Sequence, residues 1–474
     1  MLDTLIAHGQ VIDGSGTPRR RADVGIEDGY IVALGDLTGQ AAHRHIDASG
    51  CIVAPGFIDS HAHDDSLLLE HPARHPKLLQ GVTTVITGNC GISLAGLVCA
   101  APPAPLDILQ GGYRFACFAD YVAELAAARP ALNAALLVGH TTVRVAAMAD
   151  LGRAANPRET ARMQAAVAEA LAAGAIGLST GVFYAPARAA TTQELIDVAQ
   201  PLAGGRGIVT MHLRDETQHI DDALREAFAV GRALDAPLVL SHHKLIGAAQ
   251  HGRSQQTLAM IEEAAQRQAV CMDCYPYTAS STMLLPERVA GSTDVQVTWS
   301  QAEPQAAGRS LLAMAAERGI DPVTLAAALM PGGAIYFAMS DADVDRILAH
   351  PLCMIGSDGL PGPGLHHPRL WGSFARVLGH YTRERKLLSL ETAVHKMTGL
   401  AARRFGLAGR GLLQAGACAD IAVFDADTIA DRASYSHPTA EPVGVRCVLV
   451  NGQVAVERGE MQARHAGQLL KRRR

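Results

Sequence analysis

The stretch Gly56-Phe57-Ile58-Asp59-Ser60-His61-Ala62-His63-Asp64 follows a run of small apolar residues and places two histidines two positions apart. In an extended chain, alternate side chains point to the same side, so the imidazoles of His61 and His63 converge. Imidazole is a common protein ligand of Zn²⁺. This stretch therefore predicts a metal site at the end of a strand.

The composition is that of a large globular protein. The chain has 474 residues, of which 49% are hydrophobic and 18% are charged, and its formal net charge is −5. This length can bury a sizeable core and suggests more than one domain, although a (β/α)8 barrel alone could take up most of it. The mildly acidic balance gives no indication of a nucleic-acid partner.

The cysteines and the ends of the chain bear on the cellular compartment. Nine cysteines are spread thinly and are odd in number, which favours free thiols in a reducing compartment. The N-terminus lacks a basic region followed by an apolar stretch, and no apolar run approaches membrane-spanning length. We therefore expect a cytoplasmic protein with no membrane partner. The sequence does not indicate its oligomeric state.

Both ends of the chain have the pattern of short β-strands separated by turns. Asp13-Gly14-Ser15-Gly16 and Glu27-Asp28-Gly29 are turns near the N-terminus, and residues 420–424 and 445–452 repeat the strand pattern near the C-terminus. Two such separated segments can pair with each other. We therefore predict a small β-sandwich domain built from residues 1–54 and 411–474, with a larger unit at residues 55–410.

The segment between these ends alternates between apolar strands and helices, which predicts a parallel α/β architecture. Its clearest helix spans residues 157–173, because Asn156 is a good N-cap, Glu159 completes a capping box and Gly174 ends the helix. Residues 282 to about 348 exceed what a crossover needs, so we expect an inserted lid subdomain there. The predicted strands include residues 57–58, 83–86, 135–138, 176–178, 208–211, 238–240, 270–272 and 353–355, eight in all, which fits a closed TIM-like barrel.

Side chains that can bind metals recur at the ends of the predicted strands. In a barrel these ends meet at one mouth, where the chemistry sits. Taken alone, such a histidine or cysteine is usually structural, and an Asp-Gly pair is usually a turn. Because those interpretations would all have to hold at five barrel positions, a joint metal site is the better hypothesis. The residues are His61 and His63 after strand 1, Cys90 after strand 2, His212 after strand 5, His242 after strand 6 and Asp358 after strand 8.

Other cysteines and histidines are given less weight. Cys271 and Cys274 have a C-x-x-C spacing, but they lie within a strand, where their thiols would point to opposite faces. His140 ends strand 3 and is ambiguous, with a supporting or structural role favoured. The pair His366-His367 is expected to form a His-Pro turn rather than to bind metal.

Together these motifs resemble the amidohydrolase superfamily. Many of its members carry a strand-4 lysine for a bridging carbamate, but Ser179-Thr180-Gly181 offers none, and Cys90 appears at strand end 2 instead. That exchange resembles the N-acyl-D-amino-acid deacylases, or D-aminoacylases. Further motifs similar to that family are Ser241-His242-His243-Lys244, Tyr275-Pro276-Tyr277, Gly356-Ser357-Asp358-Gly359 and His367-Pro368-Arg369-Leu370-Trp371-Gly372.

The resemblance implies a zinc enzyme that hydrolyses the amide of N-acyl-D-amino acids. Zinc-activated water would attack the amide, and Asp358 would shuttle the proton to the leaving nitrogen. A thiolate with two imidazoles is a suitable catalytic zinc set, because the fourth position stays open to water. The implied ligands are Cys90, His212 and His242 for one tightly bound zinc, with His61, His63 and Asp358 lining a second, weaker position.

The implied substrate is a small N-acyl amino acid with a free α-carboxylate. Arg369 suits that group, because a guanidinium can bind a carboxylate with two hydrogen bonds, although a surface ion pair is the alternative. The resemblance adds Lys244, Tyr275 and Ser281 as partners. Either His63 or Tyr184 could help the zinc to hold the oxyanion of the tetrahedral intermediate. The motifs are similar to the N-acyl-D-glutamate branch, while the preferred side chain is left open between glutamate and hydrophobic residues.

Two alternatives remain open at this point. A cyclic-amide hydrolase of the dihydropyrimidinase or hydantoinase type shares the barrel and the His-x-His pair, but it normally requires the lysine that strand 4 lacks. A non-catalytic scaffold could keep the barrel without the chemistry, although every expected ligand is present. The sequence does not give the acyl-chain preference or the number of metal ions.

Overall fold

The computed structural model describes residues 1–73, 75–109, 112–361 and 365–473. Its centre is an eight-stranded parallel sheet in which each strand pairs with the next one along the chain. Ser60 N–H donates to the Ile355 carbonyl over 3.3 Å and nearly closes the sheet into a barrel. The barrel strands, numbered 1 to 8, are Phe57–Asp59, Val82–Thr87, Asn133–Gly139, Gly177–Gly181, Ile208–His212, Leu238–Leu240, Val270–Cys274 and Cys353–Ile355. This confirms the predicted TIM-like barrel and its eight strands.

The interior of the barrel is filled by apolar side chains that alternate along the strands. Ile58, Val239 and Met354 belong to this inner cluster, and Phe405 joins it from the helix Gly399–Phe405. Fully buried parallel strands require such apolar residues. The thiols of strand 7 lie on opposite faces, as predicted, because Cys271 belongs to the inner cluster and Cys274 to the outer one.

Helices cover the outside of the barrel. The predicted helix is confirmed as Pro157–Ala173, with a complete capping box between Asn156 and Glu159 and with Gly174 at φ 115°. The other α-helices are Leu67–Glu70, Phe118–Ala128, His140–Ala147, Ala185–Arg188, Thr192–Val198, Ile220–Leu234, Ser254–Ala265, Pro286–Val289, Leu311–Arg318, Pro322–Ala328, Asp341–Ala349, Arg369–Arg376, Leu390–Met397 and Gly399–Phe405; Val377–Glu384 is a π-helix. No helix in the described ranges is both long and apolar enough to cross a membrane.

The two ends of the chain fold together into a β-sandwich. Strand Ile52–Pro55 pairs antiparallel with Ile421–Phe424, which joins the N-terminal and C-terminal segments in one sheet. Apolar residues of both sheets, such as Ile6 and Leu449, form a core of their own. The domain limits at residues 54 and 411 stay a prediction. One sheet contains Leu2–Ala7, Asp23–Glu27, Tyr30–Gly35 and Ala42–Asp47; the other contains Gln10–Val11, Arg20–Arg21, Ile52–Pro55, Ile421–Phe424, Val445–Val450, Gln453–Glu457 and Glu460–Met461.

An antiparallel sheet lies in the chain between barrel strands 7 and 8. It consists of Ala279–Met283, Asp294–Ser300 and Gly332–Phe337, and it packs with helices Leu311–Arg318 and Pro322–Ala328 around a separate apolar cluster. The following helix, Asp341–Ala349, packs on the barrel, where Asp343 accepts from the Ser254 backbone. The expected insert limits of 282 and 348 stay a prediction. A further small sheet pairs Leu97–Cys99 with Tyr113–Phe115.

Candidate metal centre

Six buried side chains from five barrel strands converge at the mouth. His242 Nε2 lies 3.0 Å from His212 Nδ1 and 3.3 Å from Cys90 Sγ. Cys90 Sγ lies 3.2 Å from His61 Nε2, which connects this group to a second one. The second group contains His61, His63, Cys90 and Asp358, so Cys90 belongs to both groups.

The donor set fits a zinc ion. Zinc bonds of 2.0–2.3 Å in a tetrahedral site separate neighbouring ligand atoms by roughly 3.3–3.6 Å. The distances from His242 Nε2 to its two neighbours are 3.0 and 3.3 Å, close to that spacing. Burial raises the pKa of the Cys90 thiol, so a thiolate at this place needs a cation beside it. A thiolate with imidazoles favours zinc over magnesium.

The histidines are in the form that metal binding requires. Burial lowers the pKa of His61 to about 3, and it also lowers the pKa of His212 and His242. These imidazoles are therefore neutral at neutral pH, and a neutral ring nitrogen can bind a metal without first losing a proton.

Three of the six side chains stand on strained backbone. Cys90, His242 and Asp358 have φ values of 55°, 37° and 50°, in the left-handed region that non-glycine residues rarely adopt. Hydrogen bonds hold the strained turns, since His242 N–H donates to Asp273 Oδ1 over 2.8 Å and Asp358 N–H donates to the His61 carbonyl over 2.8 Å. Strain that is over-determined in this way is typical of functional sites.

Strand 4 supports the cysteine ligand instead of supplying a lysine. Ser179 Oγ accepts from the Gly91 N–H over 2.9 Å and donates to the Gly88 carbonyl. Ser179 thereby fastens the turn that carries Cys90. Strand 4 thus holds the thiol in place, and none of its own residues is a lysine.

The five predicted substrate-binding residues line one cavity beside these ligands. Arg369 is buried, its Nη2 donates to the Ser281 carbonyl over 3.1 Å, and its guanidinium carbon lies 4.9 Å from the centre of the Tyr275 ring. Tyr184 Oη lies 3.3 Å from Thr282 Oγ1. Lys244, another of the five, lines the cavity together with His63, His212, His242 and Asp358.

Arg369 has a partner that sequence reasoning did not foresee. Its Nη1 lies 2.8 Å from Asp358 Oδ2, so the predicted carboxylate anchor is paired with the predicted proton shuttle. Burial alone would raise the pKa of Asp358, but the Arg369 guanidinium and the nearby imidazoles hold that pKa well below its usual range. Asp358 is therefore an ionised carboxylate.

Sequence reasoning also missed three charged residues of the site. Asp273 Oδ1 lies 3.2 Å from His61 Nδ1, Glu216 lies behind the imidazoles, and Arg288 lines the cavity from the insert. Glu216 follows strand 5 and Asp273 belongs to strand 7. Their positions near strand ends could therefore have indicated them as site residues. No such position indicated Arg288, because the path of an insert cannot be read from periodicity.

The two other histidine predictions concern residues outside the ligand groups. His140 begins the helix His140–Ala147, and its Nε2 lies 3.6 Å from Glu194 Oε1, so it packs among structural residues. His367 Nδ1 accepts from the Arg369 N–H over 3.1 Å, and its Nε2 lies 3.0 Å from the Ala279 carbonyl oxygen. His367 thus helps to hold Arg369.

A barrel with this ligand arrangement defines a metal-dependent hydrolase, and the chain belongs to the amidohydrolase family, whose model matches residues 44–456. It is 54% identical to a D-aminoacylase of Alcaligenes xylosoxydans xylosoxydans, over 99% of this chain and 98% of that protein. A solved D-aminoacylase structure, described as having a binuclear metal centre with one-metal activation and second-metal attenuation, shares 52% identity over the whole of both chains with a TM-score of 0.97. The N-acyl-D-glutamate deacylase of Bordetella bronchiseptica, solved with zinc and a phosphonate mimic of the tetrahedral intermediate, shares 47% identity over 99% of both chains with a TM-score of 0.95.

Proposed function

We propose that the protein is a zinc-dependent deacylase that hydrolyses N-acyl-D-amino acids, with a preference for acidic side chains. The observation that carries the proposal is the placement of the Cys90, His212 and His242 group against a cavity lined by three cationic side chains. Relatives with full-length similarity act on N-acyl-D-amino acids, as their names state. Zinc bound at this group would supply activated water and polarise the amide carbonyl.

The residues of the chain itself provide binding and proton transfer. Arg369 holds Asp358 at Oδ2, while the other oxygen, Oδ1, lies on the side of the candidate metal ligands, 3.2 Å from His63 Nε2, where it would take a proton from the attacking water. Asp358 then gives this proton to the leaving nitrogen, since an amine leaves only when it is protonated. The burial of the site keeps bulk water away from these charges and strengthens their interactions.

The substrate carboxylate is bound by groups around Arg369. Its guanidinium faces the cavity together with Ser281 and Tyr275, and a planar guanidinium can hold a carboxylate with two hydrogen bonds. Lys244 adds a second positive charge next to the ligand His242, with its Nζ 2.7 Å from His242 Nδ1. Tyr184 lines the same cavity and is proposed to assist the oxyanion.

The preference for acidic side chains follows from the charges in the cavity. Among its described lining residues, three are cationic and two are anionic, which leaves one positive charge in excess. Arg288 is the cation with the weakest partner, since its Nη2 lies 3.4 Å from Glu216 Oε2 and its guanidinium carbon lies 4.5 Å from the centre of the Phe183 ring. The α-carboxylate of the substrate would balance this excess, and zinc held by the Cys90 thiolate would bring one further positive charge, which a second carboxylate would balance.

The test compares N-acetyl-D-glutamate, N-acetyl-D-aspartate, N-acetyl-D-leucine and their L-forms as substrates of metal-analysed protein. We expect turnover of D-forms only and the highest kcat/KM for the acidic ones. Arg288→Met should lower kcat/KM for the acidic substrates by about 10–100-fold, as expected for loss of a charged contact, and should change the value for D-leucine by less than about threefold. An equal loss for all D-substrates would contradict the assignment of Arg288, and turnover of hydantoin instead would contradict the deacylase function.

We also propose a cytoplasmic location. All nine cysteines are free thiols, and five of them are buried. A reducing compartment is the ordinary environment of such a chain.

A further inference from the structure

We propose that Glu216 is a positioning residue that orients both histidine ligands of the zinc site and keeps Lys244 from blocking one of them. The proposal rests on the proposed zinc-dependent function. Glu216 follows barrel strand 5 by four residues and is 3% exposed. Its carbonyl accepts from the Ile246 N–H over 2.9 Å, which fixes its backbone against the turn after strand 6.

Glu216 faces the outer nitrogens of both imidazoles. The nitrogens that face each other and the thiol are His242 Nε2 and His212 Nδ1, which are 3.0 Å apart. The opposite nitrogens point toward Glu216 Oε1, with His242 Nδ1 at 3.2 Å and His212 Nε2 at 3.8 Å. Within the described residues, His212 Nε2 has no hydrogen-bond partner. One carboxylate is therefore the acceptor available to both rings.

This arrangement decides which nitrogen carries the hydrogen. A neutral imidazole that binds zinc through one nitrogen carries N–H on the other, and that N–H needs an acceptor. Carboxylates behind metal-binding histidines commonly have this role, and their loss weakens metal binding. With Glu216 as the acceptor, His242 presents a bare Nε2 and His212 presents a bare Nδ1 toward the metal.

Lys244 makes the carboxylate necessary. Its Nζ lies 2.7 Å from His242 Nδ1, and an ammonium group can only donate. If Lys244 donated to Nδ1, the ring hydrogen would sit on Nε2, where it would block zinc. Glu216 Oε1 also binds Lys244 Nζ, so the carboxylate offers the ammonium an acceptor other than the ring nitrogen. With Glu216 present, Lys244 can lie close to His242 without placing the ring hydrogen on the nitrogen that would bind zinc.

The experiment measures zinc affinity by competition with a chromogenic chelator, which reads the site independently of activity. Glu216→Gln keeps the shape of the side chain and removes its charge, and we expect about 10–100-fold weaker zinc binding. Glu226→Gln is the matched control, because Glu226 is paired with Arg214 on the outer wall of the barrel and does not line the cavity. Thermal melts of the metal-free proteins check that both variants fold.

The double variant Glu216→Gln/Lys244→Met separates this role from a general structural one. Once the competing donor is removed, zinc affinity should recover at least about tenfold relative to Glu216→Gln, although turnover stays low without Lys244. Zinc affinity within about threefold of the wild type in Glu216→Gln would overturn the proposal, and so would a double variant without any recovery. Absence of zinc binding and of turnover in the wild-type protein would instead refute the proposed function.

Discussion

At the scale of single residues, Asp358 lies between the candidate metal ligands and Arg369, the cation proposed to bind the substrate. Its Oδ1 lies 3.2 Å from His63 Nε2, while its Oδ2 lies 2.8 Å from Arg369 Nη1. Each oxygen thus has a separate task. An amide cannot take over the proton transfer, because it is not basic enough to accept the proton.

Asp358→Asn is therefore expected to lower kcat by at least about a thousandfold, which is typical for loss of an acid–base group. Zinc content should stay near that of the wild type, because Asp358 does not belong to the group formed by Cys90, His212 and His242. Steady-state kinetics together with elemental analysis of the same preparation measure both quantities. Substantial activity in the zinc-loaded variant would exclude Asp358 as the proton shuttle.

The clustering of the candidate ligands was predictable because barrel geometry brings the ends of their strands together. His61, Cys90 and Asp358 each follow a predicted strand, and parallel strand ends must meet at the same mouth. The ion pair between Arg369 and Asp358 was not predictable, since it depends on how a helix start folds back over the barrel. Sequence patterns show the periodicity within a single helix or strand. The contact between Arg369 and Asp358 instead depends on how the loop between strand 8 and the next helix runs.

At the scale of elements, a buried ion pair connects two of the helices outside the barrel. Arg144 on helix His140–Ala147 lies with its Nε 2.8 Å from Oε1 of Glu194 on helix Thr192–Val198, and both side chains are almost fully buried. Burial by itself would raise the pKa of Glu194, but the His140 imidazole 3.6 Å away and hydrogen bonds from Arg144 and the Ala155 backbone lower that pKa to about 2. The pair therefore stabilises the fold only while Glu194 is ionised.

The contribution of Glu194 to the free energy of unfolding depends on pH. Because the folded pKa of Glu194 is lowered, its stabilising contribution is present above the unfolded value of about 4.5 and is lost as the pH falls toward 2. Glu194→Gln leaves Arg144 buried without its counter-ion and should reduce the free energy of unfolding at pH 7 by about 3–5 kcal/mol. Urea unfolding at several pH values should show the difference between variant and wild type narrowing below about pH 4.5. A difference that stays constant down to pH 3 would contradict this account.

The elements themselves were largely predictable, and the reasons differ between them. The ends of helix Pro157–Ala173 are determined by neighbouring capping residues, so this helix could be predicted without tertiary information. The barrel strands are short apolar runs bounded by turns, which gave their centres but not their ends. Strand 7, for example, extends to Cys274, because pairing with strand 8 continues past the apolar run.

At the scale of the whole molecule, the β-sandwich is fastened to the amino end of the barrel by a buried polar cluster. Asp420 accepts from Asn133 Nδ2 over 3.0 Å and from the Asn451 N–H over 2.8 Å, and it also binds Arg410. Asn133 begins barrel strand 3, so this cluster lies at the opposite end of the barrel from the metal ligands. The sequence pattern predicted that the two ends of the chain would form one domain, but it did not indicate this connection.

Asp420→Asn separates the stability of the whole molecule from the chemistry of the site. Arg410 would lose its buried counter-ion, so we expect about 3–5 kcal/mol of destabilisation and a lower melting temperature. At 25 °C, kcat/KM and zinc content should stay within about twofold of the wild type, because the metal ligands and the cavity are untouched. Thermal unfolding and kinetics on one preparation measure both. A variant with the melting temperature of the wild type would show that the cluster does not join the β-sandwich to the barrel. Loss of zinc at 25 °C would show that the two ends of the barrel are energetically coupled.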